Sequence, residues 1–154
     1  LRYFNVFGPR QDPNGPYAAV IPRWLEAMKK GEASTIFGDG STSRDFCFVA
    51  NVVQANLLAA SVAAGNSVVN SVVNIACGAT TSLLQLHEML RTQVARLKGV
   101  DLATIPQAVM EPFRKGDIKH SLADISRAQE ALGYHASHSV GDGIEELVRL
   151  ELRG

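Results

Sequence analysis

Short apolar runs alternate along this chain with segments whose apolar residues recur every three or four positions, and that alternation restricts it to an α/β fold. The strand-like runs cover residues 1–7, 34–37, 46–49 and 72–76. Between them, Val20, Ile21, Trp24, Leu25 and Met28 mark the apolar face of a helix that Gly31 stops after Lys29 and Lys30. A second helix is expected over 51–64, followed by a polar loop over 65–70. The third is the most regular, with Leu83, Leu86, Leu90, Val94 and Leu97 on one face and Gly99 closing it. Ser82 with Gln85 opens it as a capping box. A fourth helix is expected from Asp124 as N-cap through Ile125, Ala128 and Leu132 to Gly133. A fifth follows Ser139, with Ile144, Leu147 and Val148 facing inward.

At 154 residues the chain can bury one substantial core, and it reads as a single domain over 1–154. Lys plus Arg and Asp plus Glu number 15 each, so there is no basic excess for a nucleic-acid backbone. The apolar runs are too short for a membrane-spanning helix, and the opening residues do not read as a secretory leader. Cys47 and Cys77 sit in strand-like runs without metal-ligand spacing. They read as reduced thiols of a cytoplasmic protein. Leu1 opens directly into a strand-like run, and a buried strand needs neighbours on both sides. The chain is therefore expected to be the C-terminal part of a longer protein.

Two glycine–aspartate turns carry most of the chemistry. Ile36-Phe37-Gly38-Asp39-Gly40-Ser41-Thr42-Ser43-Arg44-Asp45-Phe46 leads a short strand into a glycine turn, with Arg44 just beyond. Far downstream, Phe113-Arg114-Lys115-Gly116-Asp117 repeats the combination. A guanidinium fork suits phosphate oxygens better than an ammonium does, so two arginines on separate loops suggest a clamp on a diphosphate. Each piece also has a plain structural alternative. Arg44 can pair with Asp39 or Asp45, Arg114 can be solvated beside Lys115, and Asp117 can cap a turn.

Asn5 ends a strand just before a turn, where open α/β sheets place ligand contacts, although an amide there also serves turn backbone. Pro16-Tyr17-Ala18-Ala19-Val20-Ile21-Pro22 leads into a helix whose free N–H groups suit an acceptor; a plain helix start reads the same way. His87, His120, His135 and His138 form no metal arrangement and read as structural or solvated. The chain contains no Gly-x-Ser-x-Gly elbow, no Gly-x-Gly-x-x-Gly turn and no Tyr-x-x-x-Lys pair.

Four stretches occur in order: Leu1-Arg2-Tyr3-Phe4-Asn5-Val6-Phe7-Gly8, the 18–24 segment, Phe37-Gly38-Asp39-Gly40 with Ser43-Arg44-Asp45-Phe46, and Arg114-Lys115-Gly116-Asp117. Together they resemble the C-terminal portion of extended short-chain dehydrogenase/reductases acting on nucleotide sugars. This is the NAD-dependent epimerase/dehydratase family, on the branch of the UDP-N-acetylglucosamine and UDP-glucose 4-epimerases. The resemblance covers nearly the whole chain. It implies an α/β substrate-binding domain of a Rossmann-type enzyme, with part of the parallel sheet.

The resemblance also implies roles. Phe4 would meet the nicotinamide end of NAD, largely through backbone. Asn5 would hydrogen-bond the diphosphate or sugar, and Ala19 and Val20 would offer backbone to the nucleotide. Thr35 and Phe37 would flank the uracil, Arg44 and Arg114 would hold the diphosphate, and Asp117 would accept from the ribose. Ser121 would be a further contact near the substrate. No catalytic residue and no metal ligand is assigned, because the family's glycine loop and its Ser/Thr, Tyr and Lys lie upstream of Leu1. NAD is the cofactor of the family, and the chain alone is not expected to bind it. Two departures stand out. Ala50 replaces an Asp that would cap a helix opening at Asn51, a loss of about 1 kcal/mol, and Phe37 stands where close relatives often have Asn.

The leading expectation is the substrate-binding part of an NAD-dependent UDP-sugar epimerase working at C4 through a 4-keto intermediate. The alternatives are a non-catalytic UDP-sugar-binding or protein-interaction module, and part of a nucleotide-sugar dehydratase. Whether the chain is itself an enzyme stays open. Self-association, or pairing with an N-terminal NAD-binding domain, is expected through the apolar strand at 1–7.

Overall fold

The opening apolar run makes two strands, and the residue between them positions the rest of the fold. The computed structural model describes residues 1–15, 19–62 and 71–153. Its elements in order are β1 (Arg2–Tyr3), β2 (Val6–Phe7), α1 (Val20–Lys30), β3 (Thr35–Phe37), β4 (Ser43–Arg44), β5 (Cys47–Phe48), α2 (Val49–Ala60), β6 (Asn74–Ile75), β7 (Thr81–Ser82), α3 (Leu83–Lys98), β8 (Val109–Glu111), α4 (Ser126–Leu132) and α5 (Val140–Arg153). A 3-10 turn covers Leu102–Thr104.

β1 pairs in parallel with β6, whereas β2 pairs in parallel with β5. The switch falls at Asn5, whose φ of 33° is left-handed backbone that Asn tolerates better than most residues. The Asn5 Nδ2–H donates to the Asp45 carbonyl at 2.9 Å, which ties the switch to the β4–β5 corner. β3 pairs in parallel with β8, and β4 pairs antiparallel with β7.

The expected helices are present with three adjusted boundaries. α2 starts at Val49 because β5 runs straight into it, and its N-cap is Phe48. Ala50 therefore lies inside the first turn, and its replacement of Asp removes no N-cap. α2 ends at Ala60, before the expected stop; the loop expected over 65–70 lies outside the described residues. α4 starts at Ser126 with Ile125 as N-cap. Asp124 instead accepts the Ser126 N–H at 2.9 Å, one step ahead of the helix. α3 has the expected capping box between Ser82 and Gln85. α5 has an equivalent pair: Ser139 Oγ accepts the Asp142 N–H, and Asp142 accepts the Ser139 N–H.

The main core lies where α1, α3 and α5 meet β2 and β5, and includes Phe7, Met28, Phe48, Leu90 and Ile144. Burying each of these large side chains contributes about 1.5–3 kcal/mol. α5 can seat on the Phe7–Phe48 pair because Gly143 faces it. A Cβ there would stand 2.7 Å from Phe48 and 2.8 Å from Phe7. A second cluster, including Ala55, Ile75, Leu132 and Tyr134, joins α2, α4 and β6. Among the described residues, no helix is long and apolar enough to cross a membrane.

Candidate functional site

Asp45 organises the region where the two glycine–aspartate turns meet. It is fully buried, and its carboxylate accepts the N–H groups of Cys77 at 2.9 Å, Gly78 at 3.0 Å and Ala123 at 3.4 Å. Burial pushes its carboxyl above the ordinary range, and the backbone donors oppose that shift. The three bonds fasten the β4–β5 corner to the end of β6 and to the chain after β8. Arg44 on one side of this corner and Asn5 on the other are thereby held in place.

The carboxylates nearest Arg44 in sequence are engaged elsewhere. Asp39 accepts the Ser41 hydroxyl at 2.6 Å and the Ser41 N–H at 2.9 Å, and these bonds hold its carboxyl below the ordinary value. Arg44 donates to the carbonyls of Ser43 at 2.9 Å and Lys119 at 3.2 Å. The ion pair with Asp39 or Asp45 that would have explained Arg44 structurally does not form.

A cavity of about 580 Å³ opens between the start of α1, β3, β4, the start of α3 and the 114–117 stretch. Asn5, Ala19, Val20, Thr35, Phe37, Arg44, Arg114 and Asp117 all line it. Phe4 and Ser121 do not. The Phe4 N–H is taken by the Ile75 carbonyl, and the Ser121 N–H reaches Ser43 O at 3.1 Å, beside the cavity. The Arg114 guanidinium lies over the Phe37 ring, 3.6 Å from its centroid.

Four lining residues with polar groups lie outside the set expected from the sequence: Arg23, Trp24, Ser34 and Thr42. Helical periodicity assigns Trp24 to the core and gives no sign that it also borders the cavity. Its indole N–H donates to the Thr35 carbonyl at 2.9 Å. Thr42 was readable from its place beside Arg44; nothing local marks Ser34 or Arg23. Ser34 and Thr42 are only 2% and 6% exposed, and their hydroxyls have no hydrogen-bond partner among the described residues. Buried hydroxyls on a cavity wall call for a hydrogen-bonding occupant.

Arg23, Arg44 and Arg114 all line one cavity, and none has a carboxylate within ion-pair reach among the described residues; the Arg23 Nε–H donates to the Pro13 carbonyl at 3.4 Å. Asp117 is the one carboxylate in the lining. Such a balance attracts an anion. The Phe4 N–H, expected to meet a nicotinamide through backbone, donates to the Ile75 carbonyl at 3.1 Å. No group of three or more His, Cys, Asp or Glu among the described residues could hold a metal ion. Cys47 and Cys77 are free thiols, and the Asn51 amide bridges Cys77 Sγ at 3.7 Å and His138 O at 2.8 Å.

Fold and cavity together define an α/β protein with an arginine-lined cavity beside its parallel strand pairs. The sequence profile of the NAD dependent epimerase/dehydratase family matches residues 1–76. Over those residues the chain is similar to that family. It is 37% identical over 144 residues to a UDP-glucose 4-epimerase of Mycolicibacterium smegmatis, covering 94% of this chain and 42% of that protein. It is 27% identical over 149 residues to a UDP-N-acetyl-alpha-D-glucosaminuronate decarboxylase of Bacillus cytotoxicus, covering 97% of this chain and 44% of that one. Its fold matches the crystal structure of a UDP-glucose 4-epimerase from Thermotoga maritima, solved with UDP-glucose. The TM-score is 0.82 at 38% identity, over 99% of this chain and 45% of that one. The chain thus spans less than half the length of each of these relatives.

Proposed function

We propose that this chain is the nucleotide-sugar-binding part of an NAD-dependent UDP-sugar 4-epimerase, and that its cavity grips the UDP portion of the substrate. The observation that carries the reading is that Arg23, Arg44 and Arg114, without carboxylate partners among the described residues, line one cavity that also holds Asn5, Phe37 and Asp117. A diphosphate offers those arginines bidentate acceptors, and Asp117 suits a ribose diol. Anchoring the nucleotide while leaving the sugar unclamped fits epimerisation at C4, where the 4-keto sugar must present its other face before reduction. The relatives support that chemistry for the whole enzyme. NAD and the catalytic groups belong to a part that this chain does not supply.

Isothermal titration of the chain with UDP tests the reading. Binding that weakens as salt rises is expected; a folded chain with no UDP binding overturns it. A second reading, part of a decarboxylating enzyme, is favoured by the Bacillus cytotoxicus relative, because a grip on UDP serves either reaction. We assign the exposed Leu1, Tyr3, Val53, Leu57 and Val72 to contact with an NAD-binding partner segment or a second copy. Two free thiols suit a cytoplasmic setting.

A further inference from the structure

We propose that Arg114 and the planar base of the ligand compete for the Phe37 ring, so that the cavity takes a base well only when it arrives with a phosphate. The inference rests on the UDP-binding reading and adds a selection rule to it: nucleotide over nucleoside. The guanidinium carbon of Arg114 stands 3.6 Å from the Phe37 centroid, and both residues line the cavity. Arg114 has no carboxylate partner among the described residues, so the ring is its resting place. The two are brought together by backbone. β3 and β8 pair in parallel with Phe37 opposite Glu111, three residues before Arg114. A Cβ on Gly38 would stand 2.7 Å from the Phe113 ring, so the returning chain lies directly on the first glycine turn.

A guanidinium on an exposed ring is held by about 0.5–1 kcal/mol, whereas a charge-assisted hydrogen bond to an anion contributes about 1.5–3 kcal/mol. A diphosphate in the cavity therefore draws Arg114 off the ring. The vacated face then accepts a planar base, which gains stacking contact that the empty cavity denies it. The 114–117 turn gives the side chain room to move, because residues 111–120 are all exposed. A base without a phosphate must displace the guanidinium with nothing to receive it. Phosphate and base consequently help each other bind.

The test compares pyrophosphate, uridine and UDP as probes on the chain, on Phe37→Leu and on Arg114→Ala. Tryptophan fluorescence can follow the binding, since Trp24 lines the cavity and is the single Trp of the chain. In Phe37→Leu, pyrophosphate should bind about two- to fivefold more tightly, because Arg114 no longer leaves a ring, while UDP binds more weakly. In Arg114→Ala, uridine should bind about two- to fivefold more tightly while UDP loses at least about tenfold. A merely structural role for either residue weakens every probe together. By NMR, the Arg114 Nε–H resonance should be ring-shifted upfield in the free chain, lose that shift on adding pyrophosphate, and lack it in Phe37→Leu. Unchanged or weaker pyrophosphate binding in Phe37→Leu, or an Arg114 resonance that ignores pyrophosphate, overturns the exchange while UDP binding to the parent chain leaves the functional reading standing. A parent chain that binds neither UDP nor pyrophosphate defeats both.

Discussion

Arg91 and Arg44 show two fates of the same side chain in one small protein. Arg91 is 3% exposed on α3, and its guanidinium donates to the carbonyls of Ile105 and Leu102 and to Glu88. It closes the junction between α3 and the 3-10 turn. Among the described residues, Arg44 reaches only the carbonyls of Ser43 and Lys119, on a cavity wall shared with two other arginines. The saturated arginine is part of the fold, and the less saturated one borders a cavity. What separates them is the supply of acceptors around each.

Removing Arg91 should have the largest effect on the fold. Arg91→Ala strands the Ile105 carbonyl, leaves the Leu102 carbonyl with the Ile105 N–H alone and opens a void, a loss of about 2–3 kcal/mol in urea unfolding, with UDP affinity in the surviving folded fraction unchanged. The Glu88 pair adds little to this figure because Glu88 is half exposed. Arg44→Ala should do the reverse. UDP affinity should fall about 10- to 100-fold, and unfolding should shift by no more than about 0.5 kcal/mol. If both variants lose stability alike and neither loses affinity selectively, the distinction between the two arginines collapses.

Gly40→Ala sharpens the comparison from the backbone side. Gly40 has a φ of 75°, and an added Cβ would stand 2.4 Å from Leu84 Cγ. Leu84 is partly exposed and can yield, so the left-handed backbone sets the cost at about 1–2 kcal/mol. That strain falls on the turn leading to Arg44, so a fewfold loss of UDP affinity should accompany the stability loss. A stability loss with full affinity would mean that the turn does not aim Arg44.

How far the sequence could be read follows the same division. The α/β class, the capping box at Ser82 and Gln85, and the glycine stops of α1 and α3 rest on local chemistry, and they were legible. The convergence of Asn5, Phe37, Arg44, Arg114 and Asp117 was legible through motif order. Spacing alone could not show that Asp39 and Asp45 are satisfied by their own neighbours. The break at Asn5 was hidden because a single amide in a strand-like run does not mark a change of partner strand. Ser34 and Arg23 were hidden because their place on the wall comes from tertiary packing around α1 and β3.

The smallest effect concerns His87, one turn before Arg91 on α3, and it separates a buried neutral group from a buried charged one. His87 is 3% exposed, edge-on to Trp24 with ring centroids 5.2 Å apart, and its Nε2 has no partner among the described residues. Burial lowers its pKa below the ordinary 6.5, the nearby Arg91 charge adds to the shift, and Glu88 opposes it. The unfolded chain therefore takes up the proton at a higher pH than the folded chain does. Stability is complete above about pH 6.5 and falls as pH drops from there through the lowered folded value. Urea midpoints from pH 8 downward, read by Trp24 fluorescence, should decline below that point, before Glu151 titrates: hydrogen bonding to Lys29 holds its carboxyl below the ordinary 4.5. His87→Leu should flatten the decline between those two windows while leaving the pH 8 midpoint within about 1.5 kcal/mol of the parent. A decline that persists in His87→Leu would show that this imidazole is protonated as easily folded as unfolded. Arg91 would then be the only buried cation-forming group on α3 whose partners matter to the fold.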